Sequence, residues 1–222
     1  MGSVVGDVLP LAVGVAISPM PIIAVILMLL ASRAGATSAG FLAGWVAGIA
    51  VTAIVVTIIA NTIGLSKSGG GSTAGGVVKI VLGAVIVLFG VKQWRGRPQE
   101  GSEPALPKWL AAVKSFTPAK ATGLGLALAV NPKNLLLILS AGVVIGTAGL
   151  PVGQVVATIV VFTIIAAISV AAPVVGYRFA QAKARVWLGG LEKWLTANNT
   201  TVTMTLLFLI GVVLIGKGIG AL

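Results

Sequence analysis

The chain has 222 residues, 58% hydrophobic and only 9% charged, with a net charge of +11. A soluble domain carries about 25% charged residues, so this chain cannot cover a water-facing surface and reads as an all-α integral membrane protein. It holds no Cys, no His and only four acids, which excludes thiol redox, imidazole or thiolate metal sites, and Ser-His or Cys-His catalysis.

Apolar runs of about 20 residues are long enough to span a bilayer, and six fit: 4–31, 37–61, 74–93, 119–145, 153–176 and 200–221. The first is too long for a signal-peptide core, and residues 1–7 carry no Lys or Arg, so it reads as a span and not as a cleaved leader. Ser18-Pro19-Met20-Pro21 interrupts it. Proline lacks an N–H and its ring clashes with the carbonyl one turn back, so a break in the helix belongs here. The second span carries Gly40, Gly44 and Gly48 at four-residue spacing, a stripe of small residues where helix backbones approach closely. It serves packing within the chain or, alternatively, a homodimer face. The loop that follows, Gly69-Gly70-Gly71-Ser72, reads as a flexible connector.

After the third span, Leu106, Trp109, Leu110, Val113 and Phe116 share a helical face, with Lys108 and Lys114 elsewhere. The pattern predicts an amphipathic helix lying in the interface. The fourth span is interrupted by Asn131-Pro132-Lys133-Asn134. Between the fifth and sixth spans Trp187, Leu188, Leu191, Trp194 and Leu195 predict a second interfacial helix over 184–195, and Asn198-Asn199-Thr200 opens the last span. The expected organisation is a three-helix repeat over 1–95, a cytoplasmic linker with an amphipathic helix over 96–118, and a second three-helix repeat over 119–222.

The basic residues separate by loop. Arg33, Lys92, Arg95, Arg97, Lys108, Lys114, Lys120, Arg178, Lys183, Arg185 and Lys193 fall on one side, against Lys67, Lys79 and Lys217 on the other. The positive-inside rule places the larger group in the cytoplasm and both termini outside. The charge is then spent on anionic lipid and not on nucleic acid.

Three spans per half is an odd number, so the second half runs upside down relative to the first. The chain thus reads as six transmembrane helices in two inverted three-helix repeats, each opening on a broken helix, the plan of many secondary transporters. Backbone groups freed by a break cost several kcal/mol each in hydrocarbon unless protein or a polar cavity covers them. Both breaks should therefore face inward and meet near the midplane. Lys133 falls near mid-span, at a cost of about 3 kcal/mol, with no acid expected at its depth. Ser18, Pro19, Pro21, Asn131, Pro132, Lys133 and Asn134 are the candidate substrate-binding residues, with Lys133 receiving an anionic group; the alternative is a structural lysine bonded to exposed carbonyls. Asp7, the one membrane-proximal acid, and Lys133 are the candidates for ion coupling.

These motifs carry a resemblance. Ser18-Pro19-Met20-Pro21 is similar to the Ser-Pro-Gly-Pro of the LysE/RhtB exporter superfamily. Arg33-Ala34-Gly35 leading to Gly40–Gly48, Gly90-Val91-Lys92-Gln93-Trp94-Arg95 and Asn131-Pro132-Lys133-Asn134 are similar to its first loop and second span, the close of its third span and the opening of its second half. The pattern is most similar to the branch of actinobacterial glycolipid-addressing, or sulfolipid-addressing, proteins. The resemblance implies export across a bacterial inner membrane, and in this branch the movement of cell-envelope glycolipid, alongside a larger lipid transporter as partner. Met20 departs from the family's glycine, and the scarcity of acids argues against a cationic amino acid as substrate. The expectation is an exporter or flippase for a glycolipid or other anionic amphiphile, with membrane lipids as partners, no cofactor and no enzymatic activity. The alternatives are an exporter of small amino acids or metabolites, and a non-transporting accessory subunit of an envelope lipid-export complex.

Overall fold

The computed structural model describes residues 1–31, 34–63, 73–96, 108–179, 181–220 and 222. Arg33, Lys67, Arg97, Leu106 and the glycines at 69–71 lie outside these residues, as do the side chains of Lys108, Arg178, Lys183 and Arg185. The described residues are almost entirely helical: α1 (Gly2–Ala16), α2 (Pro19–Leu29), α3 (Ala34–Thr62), α4 (Thr73–Arg95), α5 (Lys108–Ala112), α6 (Pro118–Ala129), α7 (Pro132–Gly146), α8 (Val152–Phe179) and α9 (Gln181–Ile219), with one 3-10 turn at Val113–Ser115.

Four helices, α3, α4, α8 and α9, hold stretches long and apolar enough to cross a membrane. Two bent pairs, α1 with α2 and α6 with α7, pass the same test together, so the described residues hold up to six spans. The pairs bend by 49° and 64°, at Ser18-Pro19 and at Asn131-Pro132. Each proline occupies the first turn of the second half-helix, where its missing N–H leaves no bond unmade. The helix is thus re-started at the proline, not kinked through it.

The half-helix α2 is apolar on every side, and Ile22–Ile26, Met28 and Leu29 are all buried. A helix of that kind needs protein around it, and α2 packs on α3, α8 and α9. Glycines set the other contacts. A methyl group at Gly40 would fall 2.7 Å from the carbonyl oxygen of Pro118, and one at Gly48 would fall 2.6 Å from Cβ of Ala129. Gly44 rests on the carbonyl of Thr122. The stripe of α3 therefore faces α6 within the chain. Helices α4 and α9 meet in the same way, with Gly83 against the carbonyl of Gly211 and Gly218 against that of Gly76.

Both expected interfacial helices come out differently. In the first, α5 spans only five residues before the 3-10 turn, and Leu110 and Val113 are buried in the protein core. In the second, residues 184–195 continue without interruption into the last span as the 39-residue α9. The stretch Thr196–Thr200 contains neither Pro nor Gly, and Asn198 Nδ2 turns back to donate to the carbonyl of Trp194 at 2.9 Å. Nothing there stops a helix, so Asn198 and Asn199 lie mid-helix and do not open a new one.

Candidate functional site

The two breaks meet. Ser18 caps α2 and Asn131 caps α7, and three buried side chains join the two points: Ser18 at 3%, Lys133 at 6% and Asn134 at 0% exposure. The Ser18 hydroxyl donates to Asn134 Oδ1 at 3.1 Å and accepts from Lys133 Nζ at 3.3 Å. Asn134 Nδ2 donates to the carbonyl of Leu128 at 3.0 Å, in the last turn of α6. Asn131 Oδ1 accepts the backbone N–H of Asn134 at 3.0 Å. Asn134 therefore ties together the end of α6, the start of α7 and the facing break, and it shares the Leu128 carbonyl with the backbone N–H of Asn131 at 3.4 Å.

Beside this knot lies a cavity of about 220 Å³. Ser18, Pro19, Met20, Asn131, Pro132 and Lys133 line it from the breaks, with Phe89 and Gln93 from α4 and Asn199 and Thr203 from α9. Pro21 and Asn134 sit behind its wall, buried. Gln93, Asn199 and Thr203 carry polar groups to the cavity. By sequence Gln93 falls at the close of the third span and Asn199 at the opening of the last, not at the site, and Thr203 has no assigned role. The signal available was positional: Asn199 and Thr203 are one turn apart and share a helical face.

The electrostatics of the cavity are one-sided. Helix N-termini carry partial positive charge, and those of α2 and α7 both open onto it. The N–H groups of Met20 and Lys133, in the first turns, have no acceptor within their own helices. Lys133 adds an amino group that carries a full charge when protonated. Among the described residues no carboxylate lies within ion-pair distance of it; the ion pair formed there is Lys217–Asp7, at 2.6 Å and far from the breaks. Asp7 is thus engaged with the last turn of α9 and does not join the cavity. No group of three or more acids, Cys or His that could hold a metal occurs among the described residues. The lining residues likewise supply no such ligand set.

The half-helices on the two sides of the breaks are of like length, 15 residues in α1 and α7 against 11 in α2 and 12 in α6. At 1.5 Å per residue the breaks stand about 22 Å from one set of helix ends and about 17 Å from the other, near the middle of the two bent spans. Past the cavity α4 ends at Arg95, whereas α9 runs on to Gln181.

No curated protein and no solved structure matches the chain. The family model for Sap, the sulfolipid-1-addressing protein, matches residues 8–220, a stretch that takes in both breaks, the glycine seams and every residue lining the cavity. The chain is a multi-pass helical membrane protein that belongs to the sulfolipid-1-addressing protein family.

Proposed function

We propose that this protein exports an anionic amphiphile, a sulfated glycolipid or a lipid of like charge, from the inner leaflet of a bacterial plasma membrane, without catalysing any reaction. One observation carries the reading: a lone ammonium, Lys133 Nζ, and the positive ends of two half-helices converge on one polar cavity that offers no anion of its own. An anionic headgroup supplies the missing charge. Lys92 and Arg95 flank Gln93 at the end of α4, the end that faces the cytoplasm in this reading.

The six spans form two inverted three-helix repeats in this reading. The packing supports it. Exchange α1–α2 with α6–α7, α3 with α8 and α4 with α9, and the contacts map onto one another: α1 on α8 becomes α6 on α3, α2 on α9 becomes α7 on α4, and α4 on α9 becomes itself. Such a molecule can open alternately to either face by rocking one repeat against the other. The same plan underlies the kinship with the LysE/RhtB exporters. Asp7 and Lys133, the two coupling candidates, stand apart, Asp7 paired with Lys217 and Lys133 bonded to Ser18 at the break, and a larger lipid transporter is the natural partner at the envelope.

The test is envelope lipid profiling of a deletion strain complemented with the native gene or with Lys133→Ala. Loss of one anionic lipid class from the outer envelope, restored by the native gene alone, is the expected result. Full rescue by Lys133→Ala removes the binding role. A defect confined to small metabolites turns the reading to metabolite export. Rescue by Lys133→Ala combined with failure of substitutions in α5 indicates an accessory subunit instead.

A further inference from the structure

A second, larger depression of about 800 Å³ lies on the other side of the first break. Its walls are the end of α1 (Val13, Ala16, Ile17), α8 around Pro173, and the first half of α9 (Leu188, Leu191, Leu195). Apart from Ser169 and the ring of Tyr177 its lining side chains are apolar. The Ser169 hydroxyl is already engaged, donating to the carbonyl of Ala16 at the break. Leu188 and Leu195 are buried at its floor, while Ile17, Ile168 and Trp187 stand exposed along its rim.

Two features set this groove apart from ordinary lipid-facing surface. It is concave, within the range of about 300–1,000 Å³ of small-molecule sites, and a methyl group at Gly176 would meet nothing within 4 Å. It also shares two walls with the polar cavity. The break residues Ala16 and Ile17 line the groove where Ser18 and Pro19 line the cavity. On α9, Leu188, Leu191, Leu195, Asn199 and Thr203 recur every three or four residues and so form one helical face. The first three line the groove and the last two line the cavity.

We infer that the groove holds an acyl chain of the same lipid whose anionic headgroup occupies the cavity, so that the transported molecule straddles the first break with its tail on the α8 side. This rests on the export reading and specifies its substrate: an amphiphile with at least one long hydrocarbon chain. The apolar lining gives the tail its affinity by burial, and the polar end fixes which lipid enters.

The protein in nanodiscs of phosphatidylcholine, doped with trace phosphatidic acid bearing a diazirine in its acyl chain, tests this after irradiation and peptide mapping. Label is expected at 165–177 and 187–195 in about tenfold excess over the exposed α4 surface at Leu88, a preference of about 1.4 kcal/mol. A matching diazirine phosphatidylcholine should show no such excess. Gly176→Phe, which fills open space without a backbone clash, should abolish the excess, and Ala172→Phe one turn earlier provides a second filling variant. Equal labelling by the two probes, or labelling unchanged in both filled variants of normal melting temperature, overturns the tail site. Translocation of the phosphatidic acid probe in sealed vesicles separates the two ideas. Translocation that depends on Lys133 but ignores Gly176→Phe overturns the tail site and leaves export standing. Selective groove labelling with no translocation overturns export, and the tail site stands as a lipid-binding groove.

Discussion

Lys133 and Asn134 are neighbours with opposite roles. Asn134 is fully buried and has one hydrogen bond on each side of its amide; Asn134→Ala removes both, while the Leu128 carbonyl keeps the Asn131 N–H and Ser18 keeps Lys133. Each lost bond costs about 0.5–1.5 kcal/mol, so the variant should melt below the native protein in a thermal-shift assay in detergent. Lys133 is buried with a single neutral partner. Lys133→Met removes a charge whose placement costs about 3 kcal/mol and keeps most of the side-chain volume. It should therefore melt at or above the native temperature while lipid export falls by about tenfold or more. A marked drop in melting temperature would show that the ammonium is there to hold the breaks together. The breaks themselves were legible in the sequence, because proline and a capping Asn act on their own backbone. Gln93, Asn199 and Thr203 were not, since Gln93 stands at least 38 residues and the other two at least 66 residues along the chain from the break residues they face.

Among elements, the seams between helices are built on glycine rather than on interlocking side chains. Gly44→Ala drives a methyl group into the Thr122 backbone, and such overpacking costs about 1–3 kcal/mol. Gly123→Ala, on the same pair of helices, meets open space and should be neutral or stabilising by up to about 1 kcal/mol through helix propensity. Melting both variants side by side separates a packing effect from a propensity effect; equal losses would mean that the α3–α6 contact is not close. The α3 stripe was visible in the sequence because its spacing is four. The α4 stripe was missed, although Gly76, Gly83 and Gly90 recur every seven residues, a repeat that also keeps to one helical face. The second interfacial helix was misread for a related reason. Its apolar face is real, but the face turns toward α1 and α8 as a groove wall, and amphipathic spacing alone does not say whether lipid or protein lies opposite.

At the scale of the molecule, the absence of native Cys makes topology directly testable. Single cysteines at Ser3 or Leu222 should react with a membrane-impermeant maleimide applied to intact cells, and one at Ser115 should react only after lysis; the reverse pattern would turn the molecule over in the membrane. The helical membrane class followed from composition alone, whereas the unbroken course of α9 did not, because its polar stretch at Asn198-Asn199-Thr200 reads locally as a helix start. That course has its own consequence. Where α4 stops two residues past Gln93, α9 continues 18 residues beyond Asn199, about 27 Å. One continuous helix thus walls both recesses, so a tilt of α9 that widens one of them must also shift the wall of the other.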